Sequence, residues 1–363
     1  MVKMIKGERM AEKNPLVSIV MPVYNVQDYL REALDSLRNQ KYRNLDIICV
    51  DDGSTDQSLD ILKEYAKKDN RIRYIQQTNQ YAGVARNNGL KLVTGKYVMF
   101  LDSDDVFEKN MVQDLVKKAE SNNTDIVFFG FFHFKKDISH RSCMGIPYVS
   151  KKVVSAKEHS TDLFQIGQGV PWNRFYNVDF VRKTGLQFQS LQSNNDVFFS
   201  KSIMLYADRM LFINKRYVNY RINNGSSLQG SYKLASGNFS KCLSEIRAEL
   251  IRMNLYDEYK ESFEKYVLES FILTLKKACD LDAYFTICQI ERDALLEFNI
   301  GKDSKTVCEN ACSDFFINLI DENDIEALFS LYRYMQGHYV SKNAIECRIG
   351  RKFLTLSKVK TYD

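Results

Sequence analysis

This chain has few prolines, a single tryptophan and no paired cysteines, and each shortage removes a class of protein. Its 363 residues include 4 Pro and 1 Trp. The eight cysteines stand at 49, 143, 242, 279, 288, 308, 312 and 347. None forms Cys-x-x-Cys, and Cys308-x-x-x-Cys312 has no nearby His or Cys pair to complete a zinc site. Spread this way they read as reduced thiols of a cytosolic protein, with Cys49 a small apolar core residue. No stretch approaches the roughly 20 apolar residues that span a bilayer. The N-terminus, 1–13, is basic but lacks the apolar centre of a signal peptide. A net charge of +5 is too mild to argue for nucleic acid, and suits a basic patch facing phosphates or an anionic membrane surface. There is no internal repeat and no low-complexity segment.

What remains is an ordinary globular composition, 45% apolar and 27% charged, long enough for one large domain and a smaller one. Strand and helix patterns alternate. Val17–Asn25 reads as a strand, Val26–Asn39 as a helix that Asn25 could cap, and Leu45–Val50 as the second strand. Ser54-Thr55-Asp56-Gln57 has the form of a capping box for a helix reaching Lys68. Strand Ile72–Ile75, helix Ala82–Val93, strand Tyr97–Leu101, helix Lys109–Glu120 and strand Asp125–Phe134 follow. Such alternation predicts an α/β fold with a mostly parallel, doubly wound sheet, whose ligands bind beyond the carboxyl ends of the strands. From Arg141 to about Gly225 the alternation breaks. Helices are expected at Ala156–Ile166, Val178–Thr184 and Val197–Tyr206, an irregular run at Val170–Tyr176 and an extended run at Met210–Tyr220. Residues 236–339 contain no Pro and read as long helices. The domain expectation is an extension at 1–14, a catalytic domain at 15–225 (halves 15–105 and 106–225), a helical region at 226–345 and a basic tail at 346–363.

Two acidic turns carry the chemistry. Leu101-Asp102-Ser103-Asp104-Asp105 ends one apolar strand and Asp51-Asp52-Gly53-Ser54 ends another. Three carboxylates at the mouth of a buried strand repel one another unless something positive sits between them. A divalent cation carrying a diphosphate answers that need, because hard oxygen ligands suit Mg²⁺ or Mn²⁺.

Taken in order, Pro22-Val23-Tyr24-Asn25, Asp51-Asp52-Gly53-Ser54-Thr55-Asp56, Ala85-Arg86-Asn87-Asn88-Gly89, Asp102-Ser103-Asp104-Asp105, Trp172-Asn173-Arg174 and Asn195-Asp196 resemble the motifs of family-2 glycosyltransferases with the GT-A fold. The resemblance covers residues 15–225 and implies an inverting enzyme that uses a nucleoside-diphosphate sugar, here a UDP-sugar, and a divalent metal, Mn²⁺ or Mg²⁺. It implies that Pro22, Val23, Tyr24 and Asn25 line the base pocket, and that Asp52 or its neighbour Asp51 accepts from the uracil ring N–H. By the same resemblance Arg86 approaches the nucleotide, the alternative being a structural salt bridge to one of the acidic turns; Asp102 and Ser103 lie against the ribose and base, and Asp104 is the metal ligand. Trp172 and Asn173 help shape the sugar site, with a core role for Trp172 as the alternative, and Asp196 is the general base, a position that could also serve as N-cap of the helix from Val197. Asp105 is expected as a local hydrogen-bond acceptor or a neighbour of the metal ligand.

Two departures stand out. Asn195 replaces a frequent Glu before the base, and Tyr81 stands where such enzymes often have Gly; its ring could stack on the donor or pack on the surface. The four histidines, 133, 140, 159 and 338, are scattered, and His133 reads as structural. In the tail, Arg348, Arg351, Lys352, Lys358 and Lys360 alternate with Ile349, Phe353, Leu354, Leu356 and Val359. That pattern is compatible with lying on an anionic bilayer, and also with a solvated or docked terminal helix. The expected acceptor is a glycan, lipid-linked or protein-linked hydroxyl, with the enzyme cytoplasmic or peripheral at the inner face of the cell membrane. The competing readings are a nucleotidyltransferase, which needs a Gly-rich basic loop after strand one that is missing here, and a non-catalytic nucleotide-sugar-binding protein, whose signature would be a lost Asp104 or Asp196.

Overall fold

The computed structural model describes residues 14–144, 147–222, 232–275, 281–301, 304–308, 345–349 and 352–356. The N-terminal extension expected at 1–14 lies almost wholly outside them. The chain divides into two compact units. One comprises residues 1–158, 169–190 and 203–225; the other comprises 159–168, 191–202 and 226–363. Two short stretches inside the expected catalytic span therefore belong with the C-terminal residues.

The first unit is built on a sheet ordered β3-β2-β1-β4-β8-β6-β9-β5, with β7 (Ser142–Cys143) paired to β6. Strands β1 (Val17–Val23), β2 (Leu45–Asp51), β3 (Ile72–Gln76) and β4 (Tyr97–Phe100) are mutually parallel. Beyond β4, the strand β8 (Arg174–Asn177) runs antiparallel, followed by the parallel pair β6 (Ile126–Phe134) and β9 (Met210–Arg221). A two-residue β5 (Val106–Phe107) closes the edge, antiparallel to β9.

Both faces of the sheet are covered, and β1 is buried along its whole length. Val17, Ile19, Met21 and Val23 of β1 share one core with α1 (Gln27–Arg38), α2 (Ser58–Lys68) and α4 (Met111–Asn122), which contribute Leu30 and Leu34, Leu62 and Tyr65, and Leu115 and Val116. On the other face α3 (Tyr81–Lys91) lies so close that a Cβ on Gly89 would stand 2.4 Å from Val20 Cγ1, so only glycine fits there. Cys49 is fully buried in β2, and burial pushes its thiol up to about 12, as suits an inert core residue.

Several local expectations are corrected. Helix α1 is preceded by Val26 with no side-chain cap; Asn25 has φ 49° and its Oδ1 accepts from Thr55 N at 2.8 Å instead. The capping box does not form. Ser54 Oγ accepts from Asn25 N at 3.2 Å, and α2 starts only at Ser58, whose N donates to Asp56 Oδ1 at 2.9 Å. Contacts between the two loops outcompete the local cap. The irregular run Val170–Tyr176 leads into β8, whose two rings are flanked by Arg174 and Asn177 and so form no apolar run. The helix expected at Ala156–Ile166 is a 3₁₀ turn, Lys157–His159, and a single turn, α5 (Leu163–Ile166).

The second unit is helical over α8 (Tyr232–Arg252), α9 (Tyr256–Leu275), α10 (Leu281–Glu297) and α11 (Lys305–Cys308). Residues 309–344 of the expected helical region lie outside the described residues. In the tail, β10 (Ile345–Ile349) and β11 (Lys352–Leu356) pair antiparallel, Ile349 opposite Lys352. This pairing corrects the terminal-helix expectation. No helix among the described residues is long and apolar enough to cross a membrane.

Candidate active site

Strands β2 and β4 flank β1 in the parallel half of the sheet, so the two acidic turns emerge at the carboxyl ends of the strands on either side of β1. Pro22 and Val23 end β1 in register with Val50 and Asp51, and Val23 O accepts from Asp52 N at 2.8 Å. Tyr24 follows as an exposed ring, 46% accessible.

The first turn is held by neutral donors. Asp51 is buried, its Oδ1 accepts from Ser54 N at 3.3 Å, and its Oδ2 has no hydrogen-bond partner. Asp52 Oδ1 accepts from Gln77 Nε2 at 2.7 Å and from Gln80 N at 2.9 Å. These bonds draw the β3–α3 loop onto the turn. Gly53 has φ 77°, and a Cβ there would stand 3.0 Å from Asn79 N. Tyr81 opens α3 directly after that loop with φ 70° and is 41% exposed, which places it on the surface. A bulky residue rarely holds that backbone conformation.

The second turn is held by arginines. Arg86, buried in α3, donates from Nη2 to Asp102 Oδ1 at 2.7 Å and stacks 5.5 Å from the Phe188 ring. Two residues expected at the nucleotide are thus paired with each other. Ser103 is buried and Asp104 is half-buried. Asp105 is fully buried; its Oδ1 accepts from Arg221 N at 2.9 Å, while Oδ2 has no partner. Burial, reinforced by Asp104 and Asp102, holds its carboxyl well above the usual carboxylate range. Asp105 is therefore a local acceptor, turned into the protein. Arg221, Gln77, Gln80 and Phe188 were not singled out from the sequence; each lies far along the chain from the carboxylate or guanidinium it holds, and no local pattern marks it.

The donor set accepts a divalent cation in one way. Among the described residues no three His, Cys, Asp or Glu converge as a metal site. Asp102 is engaged by Arg86 and Asp105 by Arg221. A cation at this turn would therefore need substrate phosphates and water to complete its shell, as Mg²⁺ commonly does.

Trp172 is 5% exposed, stacked on Tyr220 at 5.2 Å and edge-on to Phe131 at 4.8 Å. It belongs to the core and supports the start of β8. Asn173 is buried, and its carbonyl accepts from Phe129 N at 3.1 Å. His133 lies among the rings of Phe131 and Tyr220, and burial holds its pKa down, as a structural histidine should.

Asp196 belongs to the second unit. Its carbonyl accepts from Ser200 N at 2.9 Å, placing it at the N-terminal end of α7 (Val197–Leu205). Asn194, two residues earlier, has φ 57°, and its carbonyl accepts from Cys242 Sγ at 3.2 Å. Burial, and after it the Asp196 charge, push the Cys242 thiol up to about 12.

Residues 18–184 match the family described as glycosyl transferase family 2. The chain is 33% identical over 217 residues to glycosyltransferase GlyA of Streptococcus pneumoniae, a match covering 58% of this chain and 31% of GlyA. With EpsH of Bacillus subtilis it shares 31% identity over 280 residues, covering 76% of this chain and 79% of EpsH. The crystal structure of Staphylococcus aureus TarS 1–349 in complex with UDP-GlcNAc superposes with a TM-score of 0.73 at 19% identity, covering 95% of this chain and all of that one, a likeness of fold. Sequence and fold agree that the chain belongs to glycosyl transferase family 2, with the α/β GT-A architecture.

Proposed function

We propose that this glycosyltransferase is inverting and metal-dependent, and that it moves a sugar from a UDP-sugar to a hydroxyl of a glycan, lipid-linked or protein-linked acceptor in bacterial surface polysaccharide or glycan synthesis. The observation that carries this reading is the pair of acidic turns after β2 and β4, the first held by amide donors and the second by the Arg86 guanidinium and the main chain of Arg221. The UDP-GlcNAc held by TarS supports the donor class. The bacterial sources of GlyA and EpsH support the setting.

Asp52 takes the role of base reader, through the oxygen that Gln77 and Gln80 leave unused. A carboxylate there accepts from the uracil ring N–H, whereas cytosine has no such donor. Tyr24 supplies an exposed stacking face, and Asn25 fixes the neighbouring loop through Thr55. Arg86 sets the rotamer of Asp102, which faces the ribose. Asp104 is the residue that would hold Mn²⁺ or Mg²⁺; when bound, such an ion stabilises the charge that develops on the leaving diphosphate. Asp196 takes the proton of the acceptor hydroxyl. The oxygen then bonds to the anomeric carbon from the face opposite UDP, the bond to the diphosphate breaks, and configuration inverts.

A nucleotidyltransferase would need a phosphate-cradling loop after β1, where this chain has Pro22-Val23-Tyr24-Asn25. We place the enzyme in the cytoplasm, with the basic residues of 346–363 drawing it to anionic lipid. A chain truncated after Ala344 should sediment less with anionic liposomes at low salt, and unchanged sedimentation would remove the membrane contact from this reading.

The deciding measurement is nucleotide release from a panel of UDP-, GDP- and CDP-sugars, with Mn²⁺, Mg²⁺ or chelator. Turnover should require a UDP-sugar and a divalent ion. Preference for a GDP-sugar overturns the base assignment, and full activity in chelator overturns the metal assignment.

A further inference from the structure

The second acidic turn is tied down by a residue from the far end of the sheet. Arg221 is the last residue of β9, opposite Phe134 in the register with β6. Its backbone N donates to Asp105 Oδ1 at 2.9 Å, its Nε to the Asp104 carbonyl at 2.9 Å, and its Nη2 to Glu32 Oε2 of α1 at 2.5 Å. The guanidinium lies over the rings of Tyr29 at 4.7 Å and Phe134 at 4.4 Å. The Arg221 side chain is 5% exposed, whereas Glu32 is 51% exposed.

A buried arginine is a poor choice for stability alone, because apolar residues of similar volume often serve a core as well. What it supplies is several N–H groups at fixed angles in one plane. Here the guanidinium joins the Asp104 carbonyl to Glu32, while the backbone N–H of Arg221 holds the side chain of Asp105. The backbone from which the Asp104 carboxylate projects is thereby fixed against β9 and α1.

We propose that Arg221 is a positioning residue for the reaction: a clamp that holds the Asp104 carboxylate where it meets the metal–diphosphate unit of the donor. This rests on the reading of Asp104 as the metal-holding residue. Arg221 itself touches neither metal nor sugar. Lysine in its place keeps the charge but cannot bond the Asp104 carbonyl and Glu32 together. Glu32 sets the outer end of the guanidinium, and its removal loosens the clamp without touching the turn.

The test is calorimetric titration of UDP, with and without Mn²⁺, into the full chain and its R221K and E32A variants, with thermal melts to confirm folding. Mn²⁺ should tighten UDP binding to the wild type. Metal-free UDP affinity should stay within about twofold in both variants, since base recognition belongs to the other turn. The Mn²⁺ enhancement should fall about tenfold or more in R221K, because a displacement of about 1 Å at such a site is costly. In E32A it should fall by a smaller factor. A folded R221K that keeps the full enhancement overturns the clamp. Should R221K not fold, a folded E32A with full enhancement overturns it equally, because Arg221 is then structural only. A wild type without Mn²⁺ enhancement shows instead that the metal reading of Asp104 has failed, and the clamp falls with it.

Discussion

The two acidic turns look alike in sequence and are held by opposite means. At Asp51–Asp52 the inward donors are uncharged: Ser54 N, Gln77 Nε2 and Gln80 N. At Asp102–Asp105 they include two buried arginines, Arg86 and Arg221. Amide donors orient a carboxylate without offsetting its charge as a cation does. At the second turn the Arg86 guanidinium offsets the charge of Asp102, the Arg221 side chain grips the Asp104 carbonyl, and burial holds Asp105 well above the usual carboxylate range. On the proposed function, the first turn reads the base and the second manages charge in the leaving group.

The largest expected effect spares both turns and so sharpens the contrast. If Asp196 is the general base, Asp196→Asn should slow transfer by about 10²–10⁴-fold while UDP-sugar binding survives, because the lost contact matters only as the acceptor reacts. Asn still suits the end of a helix, so stability should hardly change. Transfer within about threefold of wild type, a loss too small for removal of a base, would leave Asp196 a cap.

Next comes the second turn. Asp104→Asn should cost roughly 10²–10³-fold in turnover, the scale of a lost electrostatic contact to developing charge, and should erase the effect of Mn²⁺ on UDP binding. Equal Mn²⁺ enhancement in variant and wild type would break the assignment of charge handling to this turn.

Asp52→Asn acts on the other side of the comparison. Losing the uracil acceptor should cost roughly 1–3 kcal/mol, about one to two decades in UDP affinity, with the ratio of affinities with and without Mn²⁺ unchanged. GDP should compete poorly with the wild type. Comparable inhibition by GDP and UDP would show that the first turn does not read the base.

The smallest effect is on stability. Asp105 titrates well above its ordinary 3.8 in the folded chain, chiefly through burial, so the folded state binds its proton more tightly than the unfolded state. Its contribution is fully present below about pH 4 and is lost as pH rises toward the folded value. Asp105→Asn lacks this slope. It should gain on the wild type in urea melts as pH increases from 4 to 8, the amide N–H standing where Oδ2 has no partner. A stability difference that does not change over that range would show that Asp105 is not held protonated.

The parallel half of the first unit was legible because β1, β2 and β4 are short, mostly apolar runs ended by a turn motif. Leu45–Asp51 runs into Asp52-Gly53, and Tyr97–Phe100 runs into Asp102. Where the sheet turns mixed, legibility fell. The two rings of β8 are flanked by Arg174 and Asn177 and form no apolar run, and two-residue β5 carries too little periodicity to be seen. The capping box at Ser54–Gln57 was a sound local signal that lost to Asn25, thirty residues away from the Thr55 it binds.

By itself the sequence determined the family, the alternating α/β order and which carboxylates lie at the strand ends, because apolar periodicity and turn chemistry are local properties. Only the tertiary structure decided what each carboxylate faces: Asp102 against Arg86, Asp52 against Gln77 and Gln80, Asp105 against Arg221 at a separation of 116 residues. These pairings come from strand order and from which side chains the core leaves no room to hydrate. No spacing along the chain encodes that.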